Sequence, residues 1–295
     1  MRLLENRLYN RAASRSMSID ERAEPKGEPG RSAPPDRLNR DVFVSITERP
    51  LILSIETATR KGSVALNSGA QLLAARVGDE RESHSSNLLH HIESILREAS
   101  IELRDIDLFA AALGPGSFTG LRIGLATAKA FAATLERPCL GVPTLQAVAH
   151  AAGVSRRTMA LLPAGRGELF AQLLKVDDDC RIEALSEPAH LPPQRLLENV
   201  KEIKSLKWAG EGAHLQRETL RDFARQHGIA FLSEAEGASA PSVDHTAMWT
   251  LAPQSGALAE SVAELALRRF NLGETARAEE LRAIYVRPSD AELKR

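Results

Sequence analysis

LILSIETATRKGSVALNSGAQLLAARV, residues 51–77, consists of three short apolar runs separated by two tight polar connections. LILSIET (51–57), GSVALN (62–67) and QLLAARV (71–77) each have strand length and composition, and connections this short predict an antiparallel meander. Beyond it the period changes. Leu88, Leu89, Ile92, Ile95, Leu96 and Ala99 recur at helical spacing, which predicts a helix over 84–100 with Ser83 or Ser85 as its cap. LFAAALG (108–114) reads as a buried strand that runs into a second helix, and Pro138 stops that helix at about Glu136. CLGV (139–142) is a further strand, followed by a Thr144-capped helix to about Ala152. Three antiparallel strands and then helix, strand, helix, strand, helix is an α/β pattern.

The second half is less legible. TMALLPA (158–164) and ELFAQLLKV (168–176) pair as strands through a Gly-Arg-Gly turn. Helices are expected near 193–200, 213–227 and 257–272, with a strand at KWAG (207–210) and an extended end at IYVRP (284–288). No internal repeat is visible. The expected divisions are an N-terminal extension over 1–49, a first domain over 50–153 and a second over 154–295. Within the extension, residues 20–41 hold four prolines and two glycines with few apolar side chains, which predicts disorder. Residues 1–19 carry Arg2, Arg7, Arg11 and Arg15 but no apolar h-region, so an extra segment or a mis-assigned start is expected rather than a targeting peptide.

Composition narrows the function. The 295 residues are 43% hydrophobic and only 4% aromatic, so the core must be mostly aliphatic. With 38 basic and 39 acidic side chains the net charge is −1, unlike a protein that grips a phosphate backbone unaided. Cys139 and Cys180 form no CxxC pair, which argues against zinc or a disulfide framework and for reduced thiols in the cytoplasm. No apolar run approaches the length of a membrane span.

GPGSFTGLRIG (114–124) joins the buried strand to its helix. Gly114 and Gly116 permit a close backbone approach, Ser117 and Thr119 can cap the helix, and Gly120 lies near its start. Such a loop can hold phosphate or simply turn the chain. The second is commoner, and neither the P-loop ending nor the dinucleotide glycine spacing is present. Inside the helix Leu121, Leu125, Ala128, Ala132 and Leu135 form the stripe expected to face the sheet. Gly120, Gly124, Thr127, Ala130 and Ala133 keep much of the remainder small, which suits close approach of another helix.

Glu56, followed by Thr57 and Thr59, ends the first strand as an acid does in actin-like and hexokinase-like ATPases. Those folds need a second loop across the cleft. Here residues 162–167 place Ala164 where an acid is wanted, and no adenosine-binding glycine cluster is expected to follow. His84 and His91 are about 10 Å apart along a helix and His90 and His91 diverge, so no metal is expected. Ser117 lacks an identifiable base, and no nucleophile elbow occurs. No catalytic residue, cofactor or metal is therefore assigned.

GPGSFTGLRIG closely resembles the signature of the TsaB family, also called YeaZ. LILSIETAT…GSVAL, HSSNLLHHIESIL (84–96), GRGELF (165–170) and IYVRPSDAELK (284–294) are similar to further family segments in the same order, with Glu56 for a common Asp and Ala164 for a common acid. The resemblance implies an actin-like (ASKHA, ribonuclease-H-like) two-domain fold with a degenerate nucleotide cleft. It also implies a non-catalytic subunit that docks the transferase TsaD and the ATPase TsaE. That assembly places threonylcarbamoyl on the adenosine 3′ to the tRNA anticodon, and the subunit meets tRNA only through the complex. Docking, or homodimerisation, would use helices 84–100 and 118–135, with His84, Leu88, His91, Ile92, Thr119, Arg122, Ile123, Thr127 and Ala130 at the interface; Gly114, Gly116, Ser117 and Gly120 would be structural. The alternative is a small-molecule kinase of the same fold or an M22-type peptidase.

Overall fold

The computed structural model describes residues 49–79, 84–233 and 247–286, leaving aside the side chains of residues 84–86. Residues 1–48, where the extension was expected, lie outside the described residues, as do Ser83, the side chain of Ser85, and the chain from 287 onward. All described residues fall within one compact unit.

The first sheet contains β1 (Leu51–Glu56), β2 (Ser63–Ser68), β3 (Gln71–Val77), β4 (Leu108–Ala112) and β5 (Cys139–Val142), in the order β3-β2-β1-β4-β5. β1–β2 and β2–β3 are antiparallel, as the short connections require, and β4 and β5 join in parallel across helical crossovers. The second sheet contains β6 (Ser155–Gly165), β7 (Glu168–Val176), β8 (Ile182–Ala184), β9 (Ala189–Leu191), β10 (Ser205–Ala209), β11 (Ala230–Ser233) and β12 (Met248–Leu251). Its order is β11-β12-β10-β6-β7-β8, with β9 also on β7. β6–β7 and β7–β8 are antiparallel, whereas β6–β10 and β10–β12 are parallel. Read from β8 to β12, the second sheet repeats the strand rule of the first. This doubled topology is the actin-like fold. It is the fold the family resemblance implied, although no internal repeat marks the doubling, because the halves share connectivity and not residues.

Among the described residues, seven α-helices cover the sheets: α1 (His84–Ala99), α2 (Phe118–Leu135), α3 (Thr144–Ala151), α4 (Pro193–Val200), α5 (Glu211–Leu215), α6 (Arg217–Gln226) and α7 (Leu258–Asn271). Alternation along buried strands sorts the side chains into three cores. Leu53, Ile55, Phe109 and Ala111 pack on α1 and α2, while Ile52, Leu108, Ala110 and Val142 face a middle layer holding α3 and α7. Ala160 and Leu162 of β6 meet that middle layer from the other side, and Met159 and Leu161 pack outward with α4, α5 and α6. The result is five layers, helix–sheet–helix–sheet–helix.

Three local expectations change. The helix near 213–227 is two helices, α5 and α6, broken at Gln216. Thr144 is the first residue of α3 and does not cap it; its Oγ1 accepts a hydrogen bond from the Gly114 N–H at 3.0 Å. β8, β9, β11 and β12 went unforeseen because runs of three or four residues show no period and owe their strand geometry to neighbours.

Candidate functional site

The carboxylate of Glu56 at the end of β1 has no solvent exposure. Its own turn surrounds it: Oε1 accepts from the Thr59 N–H at 2.7 Å and Oε2 from the Thr59 hydroxyl at 2.8 Å. The Ser63 hydroxyl donates to Oε2 at 3.5 Å, and Ser63 Oγ itself accepts from the Ala259 N–H in the first turn of α7 at 3.0 Å. Burial raises the carboxyl above its ordinary range, and the hydrogen bonds from Thr59, Ala58 and Ser63 partly offset this. An acid held by three groups of its own loop serves first as the brace of that loop.

Loop 114–117 resolves toward its structural reading. Gly114 has φ +106, and a Cβ there would lie 2.6 Å from the carbonyl oxygen of Ile284. A Cβ on Gly116 would collide with the Ala58 carbonyl, whose carbon would be 2.9 Å away. The Ser117 N–H donates to Ala58 O at 2.7 Å, and the Ser117 hydroxyl caps α2 by accepting from Gly120 N at 3.2 Å. Ile284 N donates to Leu113 O at 2.7 Å. The loop is thus a clasp between the β1–β2 turn and the C-terminal segment. Gly114 joins Pro115 through a cis bond.

Gly120 and Gly124 lie within α2 and are buried against β1, not exposed. A Cβ on Gly124 would collide with the Thr57 hydroxyl and come within 3.2 Å of Ile55 Cγ2, while that hydroxyl donates to Gly120 O at 2.8 Å. These two small residues bring the helix onto its own sheet. They do not serve a partner helix, and Gly120 belongs to the first turn rather than to the loop.

The facing wall comes from the second sheet. Ala164, near the end of β6, brings no acid, and the turn Gly165-Arg166-Gly167 carries positive φ at all three residues. A glycine-bearing turn, Gly210-Glu211-Gly212, follows β10, where a Cβ on Gly212 would sit 3.0 Å from Leu161. It reads as close packing of α5 on β6. Glu211 reaches across the cleft to Arg60, Oε1 to Nε 3.4 Å. On one side of this bridge a cavity of about 70 Å³ is lined by Glu56, Lys61, Ser63 and Gln254; on the other an open groove of about 550 Å³ is lined by Phe118, Leu162, Phe170 and Tyr285.

Among the described residues no three His, Cys, Asp or Glu side chains converge as metal ligands. The side chain of His84 lies outside them; the rings of His90 and His91 are 6.5 Å apart. Burial pushes the Cys139 thiol up to about 12, which removes it as a nucleophile at neutral pH. No described helix is long and apolar enough to cross a membrane.

The expected interface residues divide. Leu88 and Ile92 are 5% and 3% exposed and are covered by the chain's own core under α1; helical spacing marks an apolar stripe without saying what covers it. Leu89, expected in that stripe, is instead 59% exposed. On α2, Thr119, Arg122 and Ala130 are exposed, as are Ala126 and Ala133, whereas Ile123 and Thr127 are half-buried, the Thr127 hydroxyl donating to Ile123 O at 2.9 Å. His91 is half-buried on α1.

The family model described as "TsaD: tRNA N6-adenosine threonylcarbamoyltransferase" matches residues 79–268. The chain is a TsaB/YeaZ-type member of that family. It is 29% identical to the tRNA threonylcarbamoyladenosine biosynthesis protein TsaB of Escherichia coli, over 80% of this chain and 94% of that protein. The Bacillus subtilis protein of the same name is 31% identical over 33% of this chain and 43% of its own length. Among solved structures, YeaZ from Pseudomonas aeruginosa superposes with a TM-score of 0.60 at 24% identity, over 80% of this chain and 99% of that one, which supports the fold.

Proposed function

We propose that this TsaB-type chain is a non-catalytic, cytoplasmic subunit of the machinery that makes N6-threonylcarbamoyladenosine in tRNA, and that it docks the transferase TsaD and the ATPase TsaE. The observation that carries the reading is the asymmetry of the cleft. One wall offers an acid already enclosed by Thr59 and Ser63; on the other the strand end carries Ala164, and the nearby acid, Glu211, is bridged to Arg60. Transfer of a charged phosphoryl or acyl-adenylate group needs electrostatic stabilisation from both sides of the transferred group. What the chain does present is an outward surface on α1 and α2, where Leu89 is exposed beside a helix whose outer positions are Ala126, Ala130 and Ala133. Short side chains let a partner helix approach to the low end of the ~8–10 Å range.

The test is co-purification with TsaD. Ala130→Trp, placed on an exposed position, is expected to weaken the complex at least tenfold while leaving the thermal midpoint unchanged. Undiminished capture would remove α2 from the interface. Calorimetry with Mg·ATP on the isolated chain should show no micromolar site, and finding one would favour the kinase alternative.

A further inference from the structure

The proposed function leaves the open groove unused. Phe118 lines it, and the guanidinium of Arg122 lies over that ring, with Cζ 3.8 Å from the centroid. Phe118 in turn meets Tyr285, centroid to centroid 5.3 Å at 43°. Tyr285 is 50% exposed although its neighbours Ile284 and Val286 line an apolar wall. Arg60, 58% exposed at its side chain, stands on the same groove. A large aromatic ring left half in water, with a planar cation on the adjoining ring, is a combination that stacks unpaired bases: the exposed ring offers a π-face, and the charge attracts the neighbouring phosphate.

We infer that this groove takes a single unpaired nucleotide of an RNA, its base stacked on Tyr285 and its phosphate drawn to Arg122. The net charge of −1 fits a contact that positions one nucleotide better than one that grips a long backbone. The inference rests on the proposed role in tRNA modification, and names the RNA feature that this subunit would touch within the assembly.

The experiment titrates the full chain, assembled with TsaD, with a fluorescein-labelled hairpin RNA bearing an unpaired adenine-rich loop, against a fully paired duplex of equal length, by fluorescence anisotropy. The loop RNA is expected to bind at least fivefold more tightly than the duplex. Tyr285→Phe should keep that preference and Tyr285→Leu, which retains apolar bulk without a π-face, should lose about tenfold in affinity for the loop. The salt dependence should be shallow, a logarithmic slope no steeper than about −1.5, corresponding to roughly two phosphates. Equal affinity for loop and duplex, or an unaffected Tyr285→Leu variant, overturns the inference. Capture of TsaD by the same variants separates the two readings. Intact capture with no loop preference removes the nucleotide site alone, and loss of TsaD capture in Tyr285→Leu with RNA binding unchanged assigns the groove to protein docking and overturns the RNA assignment.

Discussion

The β1–β2 and β6–β7 connections hold equivalent places in two sheets of the same strand order, yet they are built on opposite principles. The first, residues 57–62, wraps a buried carboxylate, is buttressed by the clasp at Gly116, and is tied to α7 through Ser63. The second is a two-residue turn in water, and Cβ atoms on Gly165 and Gly167 would meet nothing within 4 Å. Topology can be duplicated while chemistry is not. The first half keeps an acid and spends it on its own loop, and the second keeps only the turn.

Substitutions can break the comparison at several strengths. The largest effect belongs to Gly116→Ala, which drives a methyl group into the Ala58 carbonyl in a region with no flexible side chain to yield. A loss of about 3 kcal/mol is expected, seen as a fall in thermal midpoint of about 6–12 °C. Gly167→Ala on the opposite hairpin, where only φ +78 opposes it, should cost about 1 kcal/mol by chemical denaturation. Equal costs at the two positions would erase the distinction between a packed and a free turn.

The subtlest test is pH. Because burial raises Glu56, the folded chain holds that proton where the unfolded chain has released it. Its contribution to stability is therefore fully present below the ordinary carboxylate range and is lost as pH rises through the elevated folded value. Glu56→Gln should flatten that stretch of the stability–pH profile in urea melts. An unchanged slope would show that the loop's hydrogen bonds already stabilise the ionised form. An acid placed at Ala164 should produce no comparable slope, since that position is partly open to solvent.

Much of the fold was legible in the residues. The meander over 51–77, both long helices of the first half and the β6–β7 hairpin follow from strong periodicity and short connections. Those signals are local, so they survive reading along one dimension. The edge strands β8, β9, β11 and β12 were not legible, because three or four residues carry no period and pairing decides them. At the site, the sequence pointed to Glu56, Ala164 and the 114–117 loop. It could not say that Ile284, about 170 positions away, would pass over Gly114.

By itself the sequence determined which of the longer segments are strands or helices and which chemical groups stand at their ends, because spacing and residue type express both. The tertiary structure alone decided which face of each helix is covered. Leu88 and Leu89 are adjacent and chemically identical, yet one is core and the other surface. Likewise the small residues of α2 divide between an inner face that admits Thr57 and an outer face left bare. Burial depends on the neighbour opposite, and that neighbour is supplied by contacts between distant parts of the chain.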